Sequence, residues 1–204
     1  MTSILTGDII RSRQKSDPKI WLTSLKEALT KMEANNKRWE IYRGDSFQME
    51  IPDIKRSFEV AIYIKACIKM NKGLDVRLAI GLGDKSFEGE SITESNGEVF
   101  LFSGETLETL KKEKVNLKIK TRNAQWDEEM NLYFKLASMV MDHWTPNSAE
   151  IVKLSLEQPN ALQHEIARQI GISQNTVSER QKRARLDELL ELNQMFKQKL
   201  NQLK

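Results

Sequence analysis

Apolar positions along the chain alternate between a period of two and a period near 3.6, and the switches mark out the elements. Residues 3–9 form a short β-prone run that ends at Gly7-Asp8. Asp17-Pro18 then opens a helix, with Asp17 as its N-cap and Pro18 at its first position. Ile20, Leu22, Leu25, Ala28, Leu29 and Met32 follow with helical spacing. Trp39, Ile41 and Arg43 alternate with polar neighbours, as do Phe47, Met49 and Ile51. Gly44-Asp45 between them predicts a two-residue hairpin turn with positive φ at the glycine. A second helix is predicted over residues 53–70, with Phe58, Ala61, Ile62, Ile64, Lys65 and Ile68 on and around one face. Val76, Leu78 and Ile80 predict a strand over 74–83. Residues 93–104 are bounded by glycine and partly β-like, 104–112 read as a short helix, and 115–120 as a last strand. The order β-α-β-β-α-β followed by helix and strand is the split βαβ pattern, so the expected class is α+β with a ferredoxin-like first domain. A long amphipathic segment spans 126–144. Thr145-Pro146-Asn147-Ser148 then restarts helix formation, so the chain divides into domains 1–144 and 145–204, the second all-α.

The second domain carries a sharper pattern. One helix is predicted from Pro146 to Gln158, and Pro159-Asn160 ends it. Ile166, Ala167 and Ile170 make the inner face of the next. Gly171-Ile172-Ser173 is the turn: the glycine supplies a left-handed residue and Ser173 caps the helix that follows. Val177 points inward. The spacing of Ala167, Gly171 and Val177 resembles the helix-turn-helix of bacterial regulators and sigma factors, over roughly residues 148–185. Gln181 departs from that pattern, which usually has an apolar residue one turn after the valine. On the exposed side stand Gln174, Asn175, Thr176, Ser178 and Glu179, types that read base edges. Arg180, Lys182, Arg183 and Arg185 form a basic run suited to phosphates. The bland alternative is a solvated charged helix in a protein–protein module. Leu186, Leu189, Asn193, Phe196, Leu200 and Leu203 then step by 3, 4, 3, 4 and 3 along a predicted helix, 186–204. That is a coiled-coil seam with one asparagine, expected to pair two subunits; the alternative is a helix packed on its own domain.

Composition narrows the function classes. Apolar residues make up 39% of the 204 and charged ones 30%, enough apolar surface to order a core. Thirty-two basic and 29 acidic residues leave a net charge of +3, so any nucleic-acid footprint must be local. One cysteine, Cys67, precludes an internal disulfide, and with His143 and His164 as the two histidines a Cys/His zinc site is not expected. Cys67 lies in an apolar helix and reads as core, and the four tryptophans read as packing residues. No apolar run approaches the ~20 residues of a membrane span. The amino terminus does not have the form of a signal peptide, so a cytoplasmic protein is expected.

The first domain carries two Gly-Asp pairs, Gly7-Asp8 and Gly44-Asp45. In a split βαβ sheet the first and third strands are antiparallel neighbours. Asp8 and Asp45 are therefore expected to meet at one edge and hold Mg²⁺. Arg11, Ser12 and Arg13 follow, placed to touch the phosphate oxygens of a nucleotide. The alternative is that both aspartates serve the turns, where Asp is favoured.

Asp8-Ile-Ile, Gly44-Asp-Ser-Phe and the run from Val76 to Gly83 resemble motifs of class III nucleotidyl cyclases. The chain as a whole resembles the SatD family, through TGDII, YRGDSF, ESNGE and TPNSAEIVKL. That family joins such a domain to a carboxy-terminal helix-turn-helix. The resemblance implies a cyclase-like domain, but Leu101 and Glu105 stand where cyclases place an Asn and an Arg that serve catalysis. A loss of that kind costs orders of magnitude in rate. The expected function is a homodimeric, DNA-binding transcription regulator with a catalytically inactive nucleotide- and metal-sensing domain. The alternative is an active nucleotide-processing enzyme whose tail recruits a partner.

Overall fold

The computed structural model describes residues 1–15 and 17–203. Five strands and eight α-helices lie among them: β1 (Thr2–Ile10), α1 (Lys19–Met32), β2 (Trp39–Tyr42), β3 (Ser46–Ile51), α2 (Ser57–Lys69), β4 (Asp75–Gly83), α3 (Glu98–Glu113), β5 (Leu117–Lys120), α4 (Ala124–Met141), α5 (Pro146–Glu157), α6 (Gln163–Ile170), α7 (Gln174–Ala184) and α8 (Leu186–Lys199). The protein is α+β. No helix among the described residues is long and apolar enough to cross a membrane.

The strands form one mixed sheet in the order β2-β3-β1-β4-β5. β1 runs antiparallel to both β3 and β4, and β5 joins β4 in parallel. Alternation along β1 and β4 assigns the two faces. Leu5, Ile9, Val76, Leu78 and Ile80 point into the main core with α1, α2 and α4. Ile4 packs with Val99, and Ala79 packs with Leu107 and Leu110, on the opposite side, against α3. Gly81 allows that contact: a Cβ there would lie 2.4 Å from the Val99 carbonyl and 2.8 Å from the Ser103 nitrogen. At the β5 edge, the Asn131 side chain of α4 donates to the Ile119 carbonyl at 2.9 Å and accepts from the Ile119 N–H at 2.8 Å.

Three expectations are corrected. Residues 93–104 form no strand: Asn96 makes one isolated antiparallel bridge to Phe87, a 3₁₀ turn at Ile92–Glu94 precedes it, and α3 starts at Glu98. Both neighbours of β4 are already β1 and β5, so no strand position remains there. The β2–β3 loop has three residues rather than two, with Arg43 at φ 52° and Gly44 at φ 84°.

The seam on α8 is the third. Leu186, Leu189, Asn193, Phe196 and Leu200 are 6% exposed or less, buried within the chain. Phe196 sits among Phe58 of α2 and Phe134 and Trp126 of α4, with ring centroids 6.0 to 6.3 Å apart. Asn193 donates to Glu59 of α2 rather than to a second copy of itself. A 3-4 apolar repeat describes one stripe on a helix, and here the chain's own helices fill it. The helix stops at Lys199, followed by a 3₁₀ turn at Leu200–Gln202; Lys204 lies outside the described residues. The main core therefore continues past residue 145, taking in Ala149, Val152, Ala184 and Leu189.

Candidate functional site

The carboxy-terminal face is built from α5, α6 and α7. A small core of Ile151, Leu154, Ile166, Ala167 and Val177 holds them together. Gly171 takes φ 69° and ends α6, a conformation that glycine adopts without the penalty of a Cβ. Ser173 then caps α7: its Oγ accepts from the Thr176 N–H at 3.1 Å and lies 2.9 Å from the Thr176 hydroxyl. Glu165 caps α6 by accepting from the Leu162 N–H.

Gln181 is half-buried and takes a polar role in place of the apolar residue expected there. Its Nε2 donates to Ser155 of α5 at 3.2 Å, and its Oε1 accepts from Gln163 of α6 at 2.8 Å. Three helices are thus fastened by one amide whose partners are both present. Trp144 adds a further tie, donating to the Ala184 carbonyl at the end of α7.

This framework sorts the residues expected to read DNA. Ser173, Gln174, Asn175, Glu179, Lys182 and Arg183 are exposed; Thr176 and Ser178 are half-buried. Arg183 has no ion partner among the described residues, and Lys182 is 3.7 Å from Glu179 with both ends in solvent. Arg180 differs from its neighbours. It is 15% exposed and pairs with Glu150 of α5 at 2.9 Å, so it braces α7 against α5. Arg168, exposed on α6, adds a cation that the sequence reading passed over.

The sheet half separates the other candidates. Asp8 lies opposite Ser46, and the Ile9 N–H donates to the Asp45 carbonyl at 2.9 Å, so the two backbones do meet. Their carboxylates take different partners. Asp8 faces α3, 3.2 Å from the Arg77 guanidinium and 3.9 Å from Lys111. Asp45 accepts from the Ser12 hydroxyl at 2.6 Å. It lines a cleft of about 260 Å³ with Ser12, Arg13 and Trp21. Arg11 turns into a different cleft, with Arg77 and Lys114. No group of three or more acidic, His or Cys side chains suited to a metal occurs among the described residues. Leu101 and Glu105 are both exposed on α3.

A third arrangement has no counterpart in the sequence reading. Lys65 of α2, 2% exposed, places its Nζ 2.7 Å from Asp75 and 2.6 Å from Asp142. Nearby on α2, burial pushes the Cys67 thiol from 9.0 up to about 12, against the pull of Lys153. Burial also raises the Tyr63 hydroxyl, helped by its hydrogen bond to Glu157 at 2.5 Å. Burial works to raise Glu157 in turn, but the Tyr63 hydroxyl and Lys153 outweigh it and hold the carboxyl below its usual value.

Cys67 is therefore expected to resist iodoacetamide at pH 8 in the folded protein and to react once urea unfolds it. Its proton is held more tightly folded than unfolded. The associated stability is complete below pH 9.0 and is lost as pH rises toward about 12. A falling thermal midpoint across that window checks the sign; a flat profile contradicts it.

Comparison with known proteins adds no family to this picture: no family model matches the chain, and neither a curated protein nor a solved structure matches it.

Proposed function

We propose that the protein is a DNA-binding regulator in which α6, its turn and α7 act as a helix-turn-helix. The carrying observation is the exposed face of α7: Gln174, Asn175 and Glu179 stand clear of the core, with Lys182 and Arg183 beside them in solvent. A helix of this width enters the major groove, where amide side chains bind adenine and a carboxylate accepts from cytosine. Ser173 and Gln181 support the reading, because both fix the angle of α7 on its neighbours without using its outer face.

Lys182, Arg183 and Arg185 serve for phosphates once Arg180 is assigned to Glu150; Arg185 lies 3.2 Å from Glu188, but in a solvent-exposed pair that a phosphate can replace. Three such contacts predict that log affinity falls with log salt at a slope of about −3. Arg183→Ala is expected to weaken all sequences alike, and Asn175→Ala to relax preference at one base. Selection from a random duplex pool followed by titration at several salt concentrations measures both. A palindromic selected site indicates two copies of the chain, an asymmetric one a single copy. No binding to any selected duplex at low salt overturns the reading.

The same proposal takes the sheet half as a ferredoxin-like sensing unit. Support comes from the order β2-β3-β1-β4, with α1 and α2 on one face. The resemblance to the SatD family and to cyclases enters this proposal on its sequence motifs alone.

A further inference from the structure

We propose that the cleft beneath the α4–α5 junction binds a dianionic phosphate monoester. The inference rests on the sensing half of the reading above and not on the DNA-binding half. The cleft has a volume of about 350 Å³, within the range of small-molecule sites. Arg11 follows β1, Arg77 and Lys69 come from β4 and α2, and Lys114 follows α3, so four separate segments converge on it.

Charge counting around the cleft leaves a surplus. Asp75 and Asp142 are answered by Lys65 and Lys69, at 2.6 to 3.4 Å. Arg77 is answered by Asp8. Arg11 and Lys114 form no ion pair among the described residues, so two positive charges remain at the rim of one cavity. A dianion matches that surplus.

Two further observations concern the residues that line the cleft. The Arg77 Nε is buried and has no hydrogen-bond partner, an uncommon state for a buried donor. Its Nη1 donates to Asp8 at 3.2 Å, which leaves the Nε and Nη2 N–H groups without an acceptor among the described residues. Arg11 and Lys114 both hold left-handed backbones, at φ 65° and 56°; Lys114 is the residue that ends α3, its N–H donating to the Leu110 carbonyl. Such positions persist where surrounding structure holds them. Ile10, Leu74 and Trp144 give the cleft an apolar wall, which favours an ester with an organic body over a bare ion.

Thermal melting of the full chain with inorganic phosphate, ribose 5-phosphate and adenosine 5′-monophosphate tests this, with and without Mg²⁺. A monoester at tenfold excess over its Kd is expected to raise the midpoint by about 3 °C or more without Mg²⁺. In Arg11→Gln with Lys114→Gln, both at exposed positions, affinity should fall about tenfold or more for each cation. Asp45→Asn, in the other cleft, should leave the response unchanged. No rise with either monoester overturns the proposal, as does a rise that survives the double variant. A rise that needs Mg²⁺ and disappears in Asp45→Asn also overturns it, while leaving the sensing reading in place at the aspartates.

Discussion

Phe196→Ala is expected to destabilise the whole chain by about 3–5 kcal/mol, the cost of removing a fully buried ring and leaving a cavity. The ring is 0% exposed, and the three aromatics around it belong to α2 and α4, which hold the sheet. The loss should therefore reach both halves of the molecule. Against a total stability of about 5–15 kcal/mol, it moves the protein close to its unfolding threshold. Urea unfolding, followed by near-ultraviolet and helical signals together, measures it. The two signals should fall at one reduced midpoint. A variant in which α8 melts alone, with the sheet transition unmoved, would show that α8 is an appendage.

Lys65→Met is the second large effect, again about 3–5 kcal/mol. The side chain is 2% exposed and its charge is balanced by Asp75 and Asp142, which come from the start of β4 and the end of α4. Methionine fits the volume of the lysine stem, so packing is largely kept. What remains is two partly buried carboxylates facing each other with Lys69, 3.4 Å from Asp75, as the nearest cation. Breaking one member of a buried ionic group costs more than replacing the whole group. Adding Asp142→Asn should therefore restore part of the lost stability in the same urea experiment. A double variant less stable than Lys65→Met alone would mean that the carboxylate is held mainly by Asn116, which donates to it at 2.8 Å.

Much of the sheet was legible because the large apolar residues that face the main core recur with a period of two along the strands. Trp39 and Ile41, Phe47, Met49 and Ile51, and Val76, Leu78 and Ile80 each line the main-core face of their strand. The β1–β3 pairing follows from element order, and Gly171 and Ser173 announced their turn by type. The start of α3 was not legible. Its buried face consists of Val99, Ser103, Thr106, Leu107 and Leu110, and the small polar members interrupt the apolar period. Gly104 looked like a boundary, although a Cβ there would meet nothing within 4 Å. The α8 seam was legible as a stripe but not as to what fills it, because a repeat on one helix carries no record of its partner. The ties that sort the candidate site were equally silent. Arg180 and Glu150 are 30 positions apart, Gln181 and Ser155 are 26 apart, and no local pattern relates them. Lys65 was visible on the α2 face, but its role depends on two aspartates from other elements.

The amide of Asn131 has a consequence for how the protein meets other chains. β5 is an outer strand, and an outer strand offers unpaired backbone groups to any extended segment that passes. Asn131 occupies both the N–H and the carbonyl of Ile119, at the middle of the four-residue strand, and α4 lies alongside. Strand addition on that side is blocked by a side chain acting as a substitute for a neighbouring strand. The sheet is left with one open margin, β2, which is four residues long and runs straight into the left-handed Arg43 and Gly44. A short margin that turns away at once is a poor template, so the sheet resists growing into aggregates from either side.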